Sequence, residues 1–171
     1  MKLTPNTLAF IALANEYCSA VENLGTAAPE EFTASMLRLL PRIYMAATDL
    51  EPELAEEPDD DSIHQALDEE TYDSIRTAIT ELLGADDVYL EVFMEEMKYS
   101  DTPIGASISE SLADLYQVFF NFISTVKYLD PEEMMPALAT IKTDFADYWS
   151  QTLCNVLRPL NHIRYSSPTL D

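Results

Sequence analysis

Residues 107–129 read SISESLADLYQVFFNFISTVKYL, and their spacing decides the fold. Ile108, Leu112, Leu115, Phe119, Phe122, Val126 and Leu129 recur at steps of four and three. That period places side chains on one face of an α-helix, whereas a strand needs a period of two. Tyr116, Phe120 and Ile123 widen the apolar face. A face that broad predicts a central helix with neighbours on several sides. Ser107 and Glu110 supply its start as a capping box, the serine for the backbone N–H three residues on and the glutamate for the N–H of the serine.

The same period continues outward in both directions. Asp130-Pro131-Glu132-Glu133 ends this helix and starts the next, with Asp130 as cap and Pro131 in the first turn. Pro136 is set to separate that first turn as a lead-in. The following stripe is Leu138, Ile141, Phe145, Tyr148, Thr152 and Val156. At the other end of the chain, Thr4-Pro5 starts a helix carrying Phe10, Ala14, Tyr17, Val21 and Leu24, with Gly25 as its stop. Pro29, Glu30 and Glu31 open a second helix striped by Phe32, Met36, Leu39, Ile43, Ala46 and Leu50. Pro41 falls inside it and is expected to kink it. A further helix is expected from about Asp68 to Leu83, striped by Tyr72, Ile75, Ile79 and Leu82 and stopped by Gly84. Residues 85–105 are the least regular. Val88–Phe93 has strand composition, but one strand in a helical chain has no partner, which favours a short helix. Tyr99–Pro103 reads as a turn. Five amphipathic segments with mostly short connections predict an all-α, antiparallel helical bundle in a single domain over residues 1–165. Residues 166–171 form a tail expected to fray.

Charge is the other dominant property. The 171 residues hold 31 Asp and Glu against 9 Lys and Arg, a formal net charge of −22, yet 47% of the chain is hydrophobic. Nine Tyr, 7 Phe and one Trp argue against disorder, and 3 Gly argue against a turn-rich β protein. Ten acids and no Lys or Arg fall between residues 51 and 70, together with Pro52 and Pro58. With few apolar anchors, that segment is expected to be a mobile acidic loop or linker. Such a charge repels nucleic acid and anionic membranes and attracts basic partners. No apolar stretch is long enough to span a bilayer, and the residues before Ala12-Leu13-Ala14 make a poor secretion signal. Cys18 and Cys154 sit in apolar helical contexts and read as two buried free thiols of a reducing cytosol.

Catalytic patterns do not rise above chance. Helical carboxylates three apart can hold a metal ion, and Glu53/Glu56, Glu70/Asp73 and Asp144/Asp147 have that spacing. Random placement of the acids gives about five or six such pairs, and the chain has six. With His64 and His162 alone, the Glu-x-x-His pairs of di-iron proteins are missing. No zinc spacing, phosphate-binding glycine loop or nucleophile elbow occurs, and no cofactor is implied. Two features remain as binding candidates. Arg38 and Arg42 lie four apart on one helical face around Pro41, either paired with nearby acids or forming an anion pocket. Tyr148 and Trp149 are either core residues or an aromatic anchor for a partner.

Several stretches also resemble a known family. They are Thr7–Cys18, Met36–Tyr44, the segment Tyr99–Ile104 after Lys98, and Ser109–Gln117. Together they are similar to an uncharacterised bacterial all-helical family, domain of unknown function 5063, over nearly the whole chain. The resemblance implies a small cytosolic helical protein and brings no activity, substrate or catalytic residue. The sequence thus leads to a function that is unknown in its particulars. The favoured class is a non-enzymatic acidic module that binds a basic protein partner, in a narrower form as a nucleic-acid mimic. The alternative is a metal-dependent hydrolase using helical carboxylates.

Overall fold

The structure is a computed structural model, and it describes residues 1–54, 56–91 and 104–166. Helix α1 (Pro5–Glu22) is capped by Thr4, whose side chain accepts from the Thr7 N–H. A 3-10 turn follows at Leu24–Thr26, so α1 stops before Gly25, which does not adopt a positive φ. Helix α2 (Pro29–Thr48) stays helical through Pro41. After α2, the described residues 51–54 and 56–68 carry no helix or strand beyond local turns. Helix α3 (Glu69–Leu83) is capped by Asp68 and ends at Gly84, whose φ of 57° suits a residue without a Cβ. Helix α4 (Ile108–Val126) begins at Ser107, whose hydroxyl accepts from the Glu110 N–H. Asp130 and Glu133 form the capping box of α5 (Pro131–Asp144). A π-helical turn (Phe145–Trp149) joins α5 to α6 (Ser150–Tyr165). The fold is an all-α antiparallel bundle in one domain, with α4 packed against α1, α3, α5 and α6, and α2 against α1 and α6.

Burial on α4 explains its central place. Leu112, Leu115, Phe119 and Phe122 are wholly enclosed. Their neighbours form an aromatic core in which Phe119 meets Tyr17 at 5.1 Å and Trp149 at 5.2 Å, edge to face. Such pairs add about 0.5–1.5 kcal/mol beyond area burial. The Tyr17 hydroxyl donates to the Leu112 carbonyl at 2.7 Å, so its one polar group is satisfied inside the core.

Four expectations need correction. Val88–Leu90 forms a strand, β1, and not a short helix, because it does have a partner: β2 (Gly105–Ser107), paired antiparallel with Val88 opposite Ser107. The Tyr99–Pro103 turn lies outside the described residues. Cys18 is buried, but Cys154 is exposed. Residues 62–68 are tied down, since the His64 N–H donates to Thr125 Oγ1 at 2.9 Å and the Leu67 N–H to Asn121 Oδ1 at 2.8 Å. Only Ser166 of the terminal 166–171 segment is described, and its N–H still bonds the His162 carbonyl.

The fourth correction concerns the last stripe. The buried residues are Ile141, Phe145, Trp149, Leu153, Val156 and Leu160, not Tyr148 and Thr152. Three consecutive steps of four would walk an apolar stripe around an α-helix by about 40° each. The π turn absorbs that drift. The Ser150 N–H bonds the Phe145 carbonyl, five residues back, and one extra residue fits into the turn. Phe145 and Trp149 stay in the core, while Tyr148 is turned outward and is 51% exposed.

Candidate functional site: an acidic groove

The π turn forms one wall of a groove whose floor is α4. A cavity of about 320 Å³ lies between the hairpin end of α4 and the π turn with α6. A second, about 250 Å³, lies between residues 60–65, α4 and α5. Asp114 and Tyr148 line both, so the two recesses meet at this pair. Glu91, Glu110 and Asp147 add carboxylates to the first, and Asp60 and Asp144 to the second. No Lys or Arg lines either one among the described residues.

Each element places its acid for a local reason. Asp114 lies on α4 on the side away from the aromatic core, where it is half-buried and accepts from the Tyr72 hydroxyl of α3 at 2.6 Å. Glu91 follows β1, and its two oxygens accept from Asn155 Nδ2 at 2.9 Å and the Tyr89 hydroxyl at 3.3 Å. Glu110 lies in the first turn of α4, at the positive end of the helix dipole. Asp144 and Asp147 flank the start of the π turn, line different recesses, and lie near enough for the charge of Asp147 to act on Asp144. Among the described residues no three His, Cys, Asp or Glu converge as a metal-holding group.

The electrostatics show an excess of negative potential. The Asp114 carboxyl is raised above its ordinary value, first by burial and further by Glu110, against the opposing Tyr72 hydrogen bond. Asp144 is raised by burial and then by Asp147. The Tyr148 hydroxyl is raised by burial and by Asp114. All three shifts favour the less negative form, as expected where partial desolvation and like charge act together. Arg158 is engaged on the hairpin, where its guanidinium donates to the Leu90 carbonyl and lies 5.9 Å from the Tyr89 ring centre.

The four residues singled out from the sequence are not brought together. Tyr148 stands in the groove. Trp149 is fully buried, with its indole N–H donating to the Ile141 carbonyl at 3.2 Å, so it has no surface to offer a partner. Arg38 and Arg42 are exposed on α2 and line none of the groove. Among the described residues neither has a carboxylate within ion-pair distance, while Arg76 and Asp73 approach to 3.6 Å. Sequence reading missed Asp114, Glu91 and Asn155, which come from separate elements. Tyr148's orientation did leave a trace, in the 4-4-4 spacing of Ile141, Phe145, Trp149 and Leu153.

The family model for a domain of unknown function, DUF5063, matches residues 1–166. The chain belongs to this family. A crystal structure of protein BF1032 from Bacteroides fragilis is similar to this DUF5063 chain, with a TM-score of 0.80 and 28% identity over 97% of this chain and 96% of that one. The family is thus bacterial and uncharacterised, and its fold is the helical bundle described above. No curated protein matches the chain. No helix among the described residues is long and apolar enough to cross a membrane.

Proposed function

We propose that this protein is a non-enzymatic interaction module that seats a basic segment of a partner protein in the acidic groove, in the cytoplasm. One observation carries the reading. Carboxylates from the hairpin, α4 and the π turn line a recess that holds no basic side chain among the described residues. A Lys or Arg chain entering it would meet partly desolvated carboxylates, where charge attraction is stronger than on an open surface. Tyr148 offers an aromatic face between the two recesses, and such faces attract cations. A recess suits a short segment better than it suits the groove of a DNA-binding protein, so the nucleic-acid mimic is the less favoured form. The two thiols suit a reducing compartment, being unpaired.

The test must separate the groove from the overall charge, because a net charge of −22 draws any polycation. A labelled oligolysine peptide is titrated by fluorescence anisotropy against three proteins. Neutralising two groove acids, Glu110→Gln with Asp147→Asn, is expected to weaken binding about tenfold. Neutralising two exposed acids elsewhere, Glu16→Gln with Asp49→Asn, changes net charge equally and is expected to have a much smaller effect. Equal losses in the two variants would reduce the groove to a share of general surface charge and sink the proposal.

A further inference from the structure

The connection from α2 to α3 is fastened at both ends and open in between. At its start Leu50 is buried, and its carbonyl accepts from the Lys142 ammonium of α5. At its end Ile63 and Leu67 pack on the core, and the N–H groups of His64 and Leu67 donate to Thr125 and Asn121 of α4. Between these anchors, residues 51–54 and 56–61 make no hydrogen bond to the helices among the described residues. Asp59 does accept from Ser62, within the segment itself. Beside them lies an open space of about 710 Å³, bounded on one side by Leu54 and Glu56–Asp60 and on the other by Ala139, Thr140, Thr143 and Asp144 of α5. Its charged walls are Glu56, Glu57, Asp59, Asp60 and Asp144, and no Lys or Arg lines it among the described residues.

Fixed ends, an unbonded middle and like charge on both walls are the parts of a strap. We propose that residues 56–61 form an electrostatic strap, held off α5 by carboxylate repulsion and drawn onto it when that repulsion is screened or neutralised. The apolar side chains needed for closure are present, since Leu54 and Ala139 face the same space. Repulsion opposes them at low ionic strength, where the screening length is roughly 30 Å at 0.01 M, and fades when it falls to about 3 Å at 1 M. Asp60 also lines the groove, so closing the strap changes the shape of one recess. The inference does not depend on the proposed partner, and its test uses none, so either can fail while the other stands.

The experiment is amide hydrogen exchange on the whole chain at 0.01 M and 1 M sodium chloride (both approximate). Rates in 56–61 are compared with a free peptide of the same sequence in each buffer, which removes the effect of salt on intrinsic exchange. Protection of 56–61 is expected to rise about tenfold with salt. The variant Glu57→Gln/Asp59→Asn/Asp60→Asn is expected to show the high-salt protection already at low salt. Protection that ignores salt overturns the strap, as does a variant that behaves as the wild type.

Discussion

Asp87 makes the sharpest test of how the hairpin is joined to the bundle. It is 4% exposed and closes the turn before β1, while Ser109 is the second residue of α4, just beyond β2. One carboxylate oxygen accepts from the Ser109 N–H at 2.7 Å and the other from the Ser109 hydroxyl at 2.6 Å. Asp87 therefore caps α4 from a distance. It satisfies an N–H that the helix leaves free, as Ser107 does for the next one, and it places negative charge at the positive end of the helix dipole. Replacing Asp87 by Ala strands a buried N–H, which costs about 1–3 kcal/mol, and removes a charge-assisted bond to the hydroxyl. The hydroxyl keeps a weaker alternative in Ser107 Oγ at 3.3 Å. The expected loss for Asp87→Ala is about 3 kcal/mol, or roughly 6–12 °C in melting temperature for a chain of this length. Asp87→Asn keeps an acceptor for the N–H, but loses the charge and replaces the oxygen that accepts from the Ser109 hydroxyl with an NH2 donor, so an intermediate loss of about 1–2 kcal/mol is expected. Urea unfolding of the three proteins measures both losses. A loss under about 1 kcal/mol for Ala, or an Asn variant as damaged as the Ala variant, would refute the hydrogen-bond accounting.

Two further predictions follow from the π turn and the groove. Deleting Tyr148 restores a four-three spacing to the buried stripe, so the variant is expected to keep its helicity and cooperative unfolding, with a loss below about 2 kcal/mol. By contrast, Trp149→Ala should cost about 3–5 kcal/mol. An unfolded deletion variant in circular dichroism would show that the turn is more than an inserted residue. For pH, the carboxyls of Asp114 and Asp144 are raised by burial, so the folded chain holds more protons than the unfolded chain above about pH 4. Stability should then fall as pH rises through that window. The melting temperature is expected to fall as pH is raised from the ordinary carboxylate range, and Asp114→Asn should lessen the fall. A flat or reversed profile by differential scanning calorimetry counts against it. Asp68 has the opposite sign, because its hydrogen bonds with Thr71 lower its pKa, and its cap on α3 is lost only in stronger acid.

The family was legible because stretches such as Thr7–Cys18 and Met36–Tyr44 are runs of local sequence, and the match over residues 1–166 rests on the same kind of information. The helices were legible for a related reason. Period, caps and breakers are local, so Ser107, Asp130 and Thr4 mark helix starts whatever the rest of the chain does. The hairpin was not legible, because the partner of Val88–Leu90 lies beyond Glu91 and only pairing makes a strand of it. The docked end of the acidic segment was hidden for the same reason, since Thr125 and Asn121 are remote in sequence from His64 and Leu67. Composition alone determined the sign of the surface charge, because 31 Asp and Glu face 9 Lys and Arg. Which acids share a recess was decided by tertiary packing. Asp114, Glu91 and Asp147 come from three elements, and the π turn that turns Tyr148 toward them exists because Trp149 and Leu153 must both reach the core.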